Sequence, residues 1–428
     1  MTSHRSLGRL SLACLIAIAG CSRAQPTAVQ DGSTRVAAGA VEPVTLERDA
    51  DGWRLLVEGE PFFVRGVNWR YTPVGLKYDF NAWTGLPREV CERLVDEDAA
   101  LMKAAGINTI RLIDETGDAD FVVRRFHDKH GIRTILNHFA GRYGTTVDGE
   151  WVSPVNYADP ATREAILASA RVAIEHYRDV PGVIAYAFGN EGNYGLEWED
   201  AAVAQLPVGE RQAAKARHLY TLLNEVAKQA KAIDPERPTL IVNGDLQYLD
   251  LIDELCGDVD ILGVNAYRGK GFGDLWERAA SIGKPALLIE FGADVYDVIA
   301  GRENEAAQAE WIGAQLDDLG RNAHPSLGGS EDPAVPGSAL GGTLFQWVDE
   351  WWKLQNALGG DDVHDTAATW FNGGYADATV DRTNNMHEEW WGLCRLGEAK
   401  VDGLHPREPR RALLEAIRDR WGRSEKAE

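Results

Sequence analysis

The chain has 428 residues, 44% hydrophobic and 26% charged, enough for one large buried core. A net charge of −22 argues against nucleic acid or an anionic membrane surface as partner and is compatible with a neutral polysaccharide. Fourteen Trp and twelve Tyr could stack on sugar rings, but such rings also fill cores, so the count decides nothing alone.

The chain opens with a basic start (Arg5, Arg9), an apolar stretch from Leu10 to Ala19, and the run Ile18-Ala19-Gly20-Cys21. The stretch is too short to remain as a membrane span and reads as a cleaved leader over residues 1–20. Small residues directly before a cysteine resemble a bacterial lipobox, which implies cleavage before Cys21 and lipid on its sulfur. An ordinary secretory leader with a chance cysteine is the alternative. Ser22 after the cysteine, by the same resemblance, implies the outer membrane of a bacterial envelope. The membrane contact would then be the lipid anchor only. Loss of the leader removes Arg5 and Arg9 and takes the net charge from −22 to −24. Residues 21–42 hold few large apolar side chains and read as a flexible tether, with the folded domain over 43–424.

Asp51-Gly52 separates two β-rich pieces and Glu58-Gly-Glu-Pro61 follows, which predicts a small hairpin closing a barrel floor. Strand-like runs come next: Phe62–Asn68, Asn108–Leu112, Arg133–His138, Val183–Gly189, Thr239–Asn243, Asp260–Asn265, Ala286–Phe291 and Gly342–Trp347. Amphipathic segments alternate with them, among them Arg88–Ala105 (ended by Gly106), Ala161–Tyr177, Arg211–Ala232 and Pro409–Trp421. Eight strands in βα order predict an α/β fold, a (β/α)8 TIM barrel with a parallel sheet. The stretch Asp349–Pro406 is too long for a plain connection and reads as a lid. Its aspartates Asp361, Asp362, Asp365, Asp377 and Asp381 lack EF-hand spacing and read as a solvated loop rather than a calcium site. No Cys-x-x-Cys or His-Glu-x-x-His occurs, so neither a metal nor another cofactor is expected.

Two runs carry the chemistry. Tyr186-Ala-Phe-Gly-Asn190-Glu191 and Ala286-Leu-Leu-Ile-Glu290-Phe-Gly292 are each apolar until they end in a carboxylate. Polar groups at the C-terminal ends of barrel strands face the mouth. Two glutamates placed so are what retaining glycoside hydrolysis needs: one protonates the leaving oxygen, the other attacks the anomeric carbon, with carboxyls about 5–5.5 Å apart. The plainer reading makes both into strand-end groups that cap the next helix.

Together with Phe63-Val-Arg-Gly-Val-Asn68, Gly106-Ile-Asn-Thr-Ile-Arg111 and Gly263-Val-Asn-Ala-Tyr267, these runs resemble the clan of retaining glycosidases built on (β/α)8 barrels. The match is nearest to the barrel domain of family 2 glycosidases and to the family 72 β-1,3-glucanosyltransferases, over Pro61–Trp352. The resemblance implies that Glu191 is the acid/base and Glu290 the nucleophile. It implies that Asn190 binds the sugar 2-hydroxyl, while Arg111 and Tyr267 hold Glu290. His138, Asn243 and Trp347 would touch the sugar from the ends of strands three, five and eight, with Asp349 and Trp351 just beyond. Structural readings stand beside these roles: an ion pair for Arg111, a satisfied core group for His138, core packing for Trp347. The family 72 resemblance also implies a Cys256–Cys394 disulfide, with Cys91 left as a buried thiol. The activity expected is retaining β-glycosidase action on a poly- or oligosaccharide, β-glucan favoured. Water as acceptor gives hydrolysis and sugar gives transglycosylation. A binding lipoprotein without turnover would be expected to lack a catalytic carboxylate, and both are present.

Overall fold

The computed structural model describes residues 41–422 apart from 114–115, 142–143, 148–149, 198–202, 331–335, 354–360 and 367–386. The leader, Cys21 and all but the last two tether residues lie outside the described residues, as do Asp377 and Asp381.

Eight parallel strands close into a barrel in chain order. They are β1 (Val64–Trp69), β2 (Thr109–Leu112), β3 (Arg133–His138), β4 (Val183–Phe188), β5 (Thr239–Gly244), β6 (Ile261–Asn265), β7 (Ala286–Phe291) and β8 (Ala339–Leu344). A helix follows each: α1 (Arg88–Ala104), α2 (Ala119–Arg124), α3 (Pro160–Tyr177), α4 (Val208–Ile233), α5 (Leu249–Leu255), α6 (Leu275–Ser281), α7 (Glu305–Arg321) and α8 (Arg411–Trp421). The helices form because apolar positions recur at helical spacing. In α1, Cys91, Leu94, Val95, Ala99 and Met102 make the buried stripe. Two of the starts carry a side-chain cap: Asp159 accepts from Thr162 N at 2.8 Å, with Pro160 at the first helical position, and Asn304 accepts from Ala307 N at 3.2 Å.

Two cores result. Val64, Ile135, Leu240, Val242, Leu287, Ile289 and Leu340 fill the barrel interior, where Val44, Leu55 and Val57 of the N-terminal sheet join them. That sheet, Val44–Arg48, Trp53–Val57 and Glu60–Pro61, is the predicted hairpin with one short strand added, and it seals the floor. The larger core lies between strands and helices.

β8 starts and ends three residues earlier than expected. Gly342, expected to open the strand, and Gly341 before it both lie well inside it: Gly341 has φ +112°, and a Cβ there would lie 2.1 Å from Val64 O. Only glycine allows β8 to meet β1 so closely. The chain therefore leaves the barrel at Phe345, and Trp347 falls beyond the strand.

Candidate active site

Arg111, near the end of β2, is fully buried on the barrel axis. Its Nη1 donates to Glu290 Oε1 at 2.6 Å and to Asn68 Oδ1 at 2.9 Å. Its Nη2 donates to Asn137 Oδ1 at 2.9 Å and Asn190 Oδ1 at 2.8 Å, and Nε reaches Asn137 Oδ1 at 3.2 Å. A buried guanidinium needs such complete pairing. The asparagines are themselves anchored: Asn68 Nδ2 donates to Ile289 O at 3.0 Å, and Asn137 Nδ2 to Gly189 O at 3.2 Å. Five strands are thereby tied to one cation.

Glu290 faces this cation because the ladder is irregular there. Leu287 and Ile289 point into the barrel, and plain alternation would turn Glu290 outward. Register shifts between Val264 and Asn265, and again between Leu288 and Phe291, bring its carboxylate to the axis. Tyr267, two residues past β6, donates its hydroxyl to Glu290 Oε2 at 2.9 Å. Burial first, then the charge of Glu290, pushes the Tyr267 phenol well above its ordinary range, so it stays a donor.

Glu191 lies past β4 in a sharp turn. Gly189 (φ +83°) passes so near Ala140 O that a Cβ would sit 2.6 Å from it, and Glu191 itself takes φ +51°. The Glu191 N–H donates to Val242 O at 3.0 Å, which fixes the turn onto β5. Burial first, then the negative charge of Glu290, pushes the Glu191 carboxyl up to about 7, against a hydrogen bond from Asn265. A carboxyl protonated near neutrality thus faces a carboxylate held by Arg111 and Tyr267.

The wall beside Glu290 is aromatic. The Tyr267 ring meets Trp391 edge-on at 4.8 Å and Phe345 at 6.3 Å. Phe345 thus takes the place expected for Trp347. Trp347 is fully buried in the outer core with Leu393 and Cys394 and cannot reach a sugar. Asp349 is a second correction: it has no exposure, and both its oxygens accept from Arg410, at 2.8 and 2.7 Å, an ion pair that pins the chain after β8 to the start of α8. Asn243 accepts from Tyr220 Oη at 2.7 Å and donates to Asp245 O and Gln247 O at 2.8 and 3.1 Å, so it shapes the loop after β5 rather than a subsite. His138 has both ring nitrogens engaged, Nε2 with Ser169 Oγ at 3.0 Å and Nδ1 with Ala140 N at 3.1 Å, and burial lowers it to about 4. Trp351 stacks face to face on His364 at 4.7 Å, so that ring face is already covered.

The cysteines are separate. Cys91, Cys256 and Cys394 are all free and buried. Cys256 Sγ donates to Tyr220 O at 3.6 Å behind β5, whereas the Cys394 backbone is hydrogen-bonded to Trp347 and Asp349 beyond β8, three strands further round the barrel. The disulfide implied by resemblance is not formed.

Residues that sequence reading gave no role are Asn68, Asn137, Asn265, Phe345 and Lys353, whereas Glu388-Glu-Trp-Trp391 reads, acidic and aromatic, as a carbohydrate-binding strip at the rim or as packing of the lid. Asn68 and Asn265 each interrupt an apolar strand at its C-terminal end, the same signal that drew attention to Glu290. Trp391 and Glu388 lie about a hundred residues past β7, and only the tertiary structure brings them back beside it. Among the described residues one His–carboxylate group could share a cation, Asp49, Asp51 and His324 at the barrel floor. Asp49 there already pairs with Arg54 at 2.9 Å and His324 at 3.0 Å.

Residues 50–306 match the family described as glycosyl hydrolases family 2, TIM barrel domain. No curated protein matches the chain. Among solved structures, a β-glucuronidase of Bacteroides uniformis aligns at 18% identity and a TM-score of 0.53 over 88% of this chain and 37% of that one. A family 2 β-galacturonidase of Eisenbergiella tayi aligns at 16% and 0.50 over 88% and 54%. An exo-β-agarase aligns at 12% and 0.56 over 90% and 65%. The chain thus spans about 37% to 65% of these structures' own length, and the likeness is one of fold. With its closed eight-stranded barrel and well over half of its residues matched to the family's barrel domain, the chain belongs to family 2 of the glycosyl hydrolases.

Proposed function

We propose that the protein is a retaining β-glycosidase. Glu290 attacks the anomeric carbon as Glu191 protonates the leaving oxygen. Glu191 then deprotonates the incoming acceptor, which frees the sugar from Glu290 with net retention. The observation that carries this reading is the opposite treatment of two carboxyls in one mouth. Glu191 is pushed up to about 7, and Glu290 is held by Arg111 at 2.6 Å and Tyr267 at 2.9 Å. Asn190 turns Oδ1 to Arg111, which leaves Nδ2 to donate to the sugar 2-hydroxyl, a contact that strengthens in the oxocarbenium-like transition state.

The substrate proposed is a β-linked poly- or oligosaccharide, with β-glucan favoured. The strongly acidic chain and the family 72 resemblance support a neutral polymer. The aligned structures, a β-glucuronidase, a β-galacturonidase and an exo-β-agarase, are all named for the β-configuration, which supports a β-linked substrate. A sugar acceptor in the second step would make the enzyme a transglycosylase with the same residues. The leader and Cys21 support a lipid-anchored protein of the bacterial envelope. Mass spectrometry of membrane-extracted protein is expected to find lipidated Cys21 as the first residue, and an unmodified cysteine there would refute the anchor.

The decisive test is product stereochemistry. Proton NMR during hydrolysis of an aryl β-glycoside should show the β-anomer first, and azide should rescue Glu191→Ala with a β-glycosyl azide as product. An α-anomer in either experiment would end the retaining scheme. Turnover on β-1,3-, β-1,4- and β-1,6-glucans then sets the linkage.

A further inference from the structure

Lys353 and Glu388 both lie beyond β8, and the fold brings them back to the catalytic pair. Lys353 Nζ stands 3.2 Å from Glu388 Oε2, 3.6 Å from Glu350 Oε2, and 4.1 Å from the centre of the Phe345 ring. Phe345 shares the aromatic wall with Tyr267, whose hydroxyl holds Glu290. The charge of Glu388 acts on Glu191 and Tyr267, and that of Glu290 acts on Lys353. Through Phe345 and Tyr267 the pair borders the wall beside Glu290.

This ion pair differs from the ones that build the scaffold. The Arg410 and Asp349 side chains are 2% and 0% exposed, whereas those of Lys353 and Glu388 keep 14% and 27%. A partly open carboxylate–ammonium pair offers acceptors and donors side by side, which suits hydroxyls on neighbouring sugar carbons. The cations are also matched: Lys353 faces Glu388 and Glu350, and Arg70 faces Glu350 at 3.7 Å. Among the described residues, each of these two cations already faces a carboxylate, so neither offers an unmatched charge to a sugar carboxylate.

We propose that Lys353 and Glu388 are the specificity-determining pair for the glycone, binding its hydroxyls remote from the scissile bond and selecting a neutral sugar over a uronate. This rests on the glycosidase reading above.

The test uses the full chain and 4-nitrophenyl β-glycosides: glucoside, galactoside and mannoside, the 3-, 4- and 6-deoxy analogues of the best of them, and glucuronide and galacturonide. Wild type should turn over a neutral hexoside at least tenfold faster in kcat/KM than either uronide. Glu388→Gln and Lys353→Met should lower kcat/KM on the parent hexoside roughly 10- to 100-fold, the worth of a hydrogen bond to a charged group. Each should lose far less on the deoxy analogue that lacks the hydroxyl it binds. An equal loss on parent and all deoxy analogues, or a wild-type preference for a uronide, overturns the proposal and leaves the glycosidase reading intact. Calorimetric binding of the free sugars to the same proteins separates the two claims. Binding weakened by Glu388→Gln without wild-type turnover supports the pair and sinks the activity, and binding that neither variant changes overturns the pair.

Discussion

Arg111 and Glu290 are separated by 179 positions in the chain and by 2.6 Å in the structure. The guanidinium neutralises the carboxylate, and by donating also to Asn68, Asn137 and Asn190 it sets the positions of the groups around the reacting carbon. Arg111→Lys keeps the charge but not the planar fork, so kcat should fall about 100-fold with a smaller change in KM. Arg111→Met leaves Glu290 as an uncompensated buried charge and should cost about 3–5 kcal/mol in urea denaturation. Unchanged kcat in the lysine variant would show that Arg111 serves only the scaffold.

Glu191 sets a pH dependence whose sign follows from its raised carboxyl. The acid form is needed to protonate the leaving group, so kcat/KM should fall above about pH 7. A 2,4-dinitrophenyl leaving group needs no proton and should flatten that limb. Stability carries the same signature. Between its ordinary value of 4.5 and about 7, the folded state holds a proton that the unfolded chain has lost. Unfolding free energy should therefore decline as pH rises through that window and level off above it. Glu191→Gln should remove the decline, measured as Tm against pH.

Asp349 and Arg410 are expected to matter for stability rather than recognition. Removing one partner of this fully buried pair, as in Asp349→Ala, should cost about 3–5 kcal/mol. Protein that remains folded should keep the wild-type KM, and a raised KM at full stability would restore Asp349 to the substrate site.

The thiols should all be alkylated after denaturation without reductant and resist alkylation in the native state. Burial pushes Cys91 up to about 11, Cys256 up to about 12 and Cys394 well above its ordinary value, and each is enclosed. A mass consistent with Cys256 and Cys394 protected from alkylation until reduction would contradict the geometry.

The barrel was legible in the sequence because buried parallel strands read as apolar runs, and because a carboxylate ending such a run has few places to go but the mouth. Glu191, Glu290, Arg111, Asn190 and Tyr267 stand together at that mouth for this reason. Reading failed past β8, where a glycine pair hid the start of the strand and regular alternation gave no guide. There the sequence offers Trp347, Asp349, Trp351, Glu388 and Trp391 as candidates without ranking them. The structure separates them: Trp347 and Asp349 turn into the scaffold, Trp391 packs against Tyr267 beside Glu290, and Glu388 pairs with Lys353 against Phe345. Local pattern determined the strands and the residues that end them. Only tertiary packing decided which late residues stand beside Glu290, since that depends on contacts with strands far away in the chain and on a register shift that re-aims Glu290.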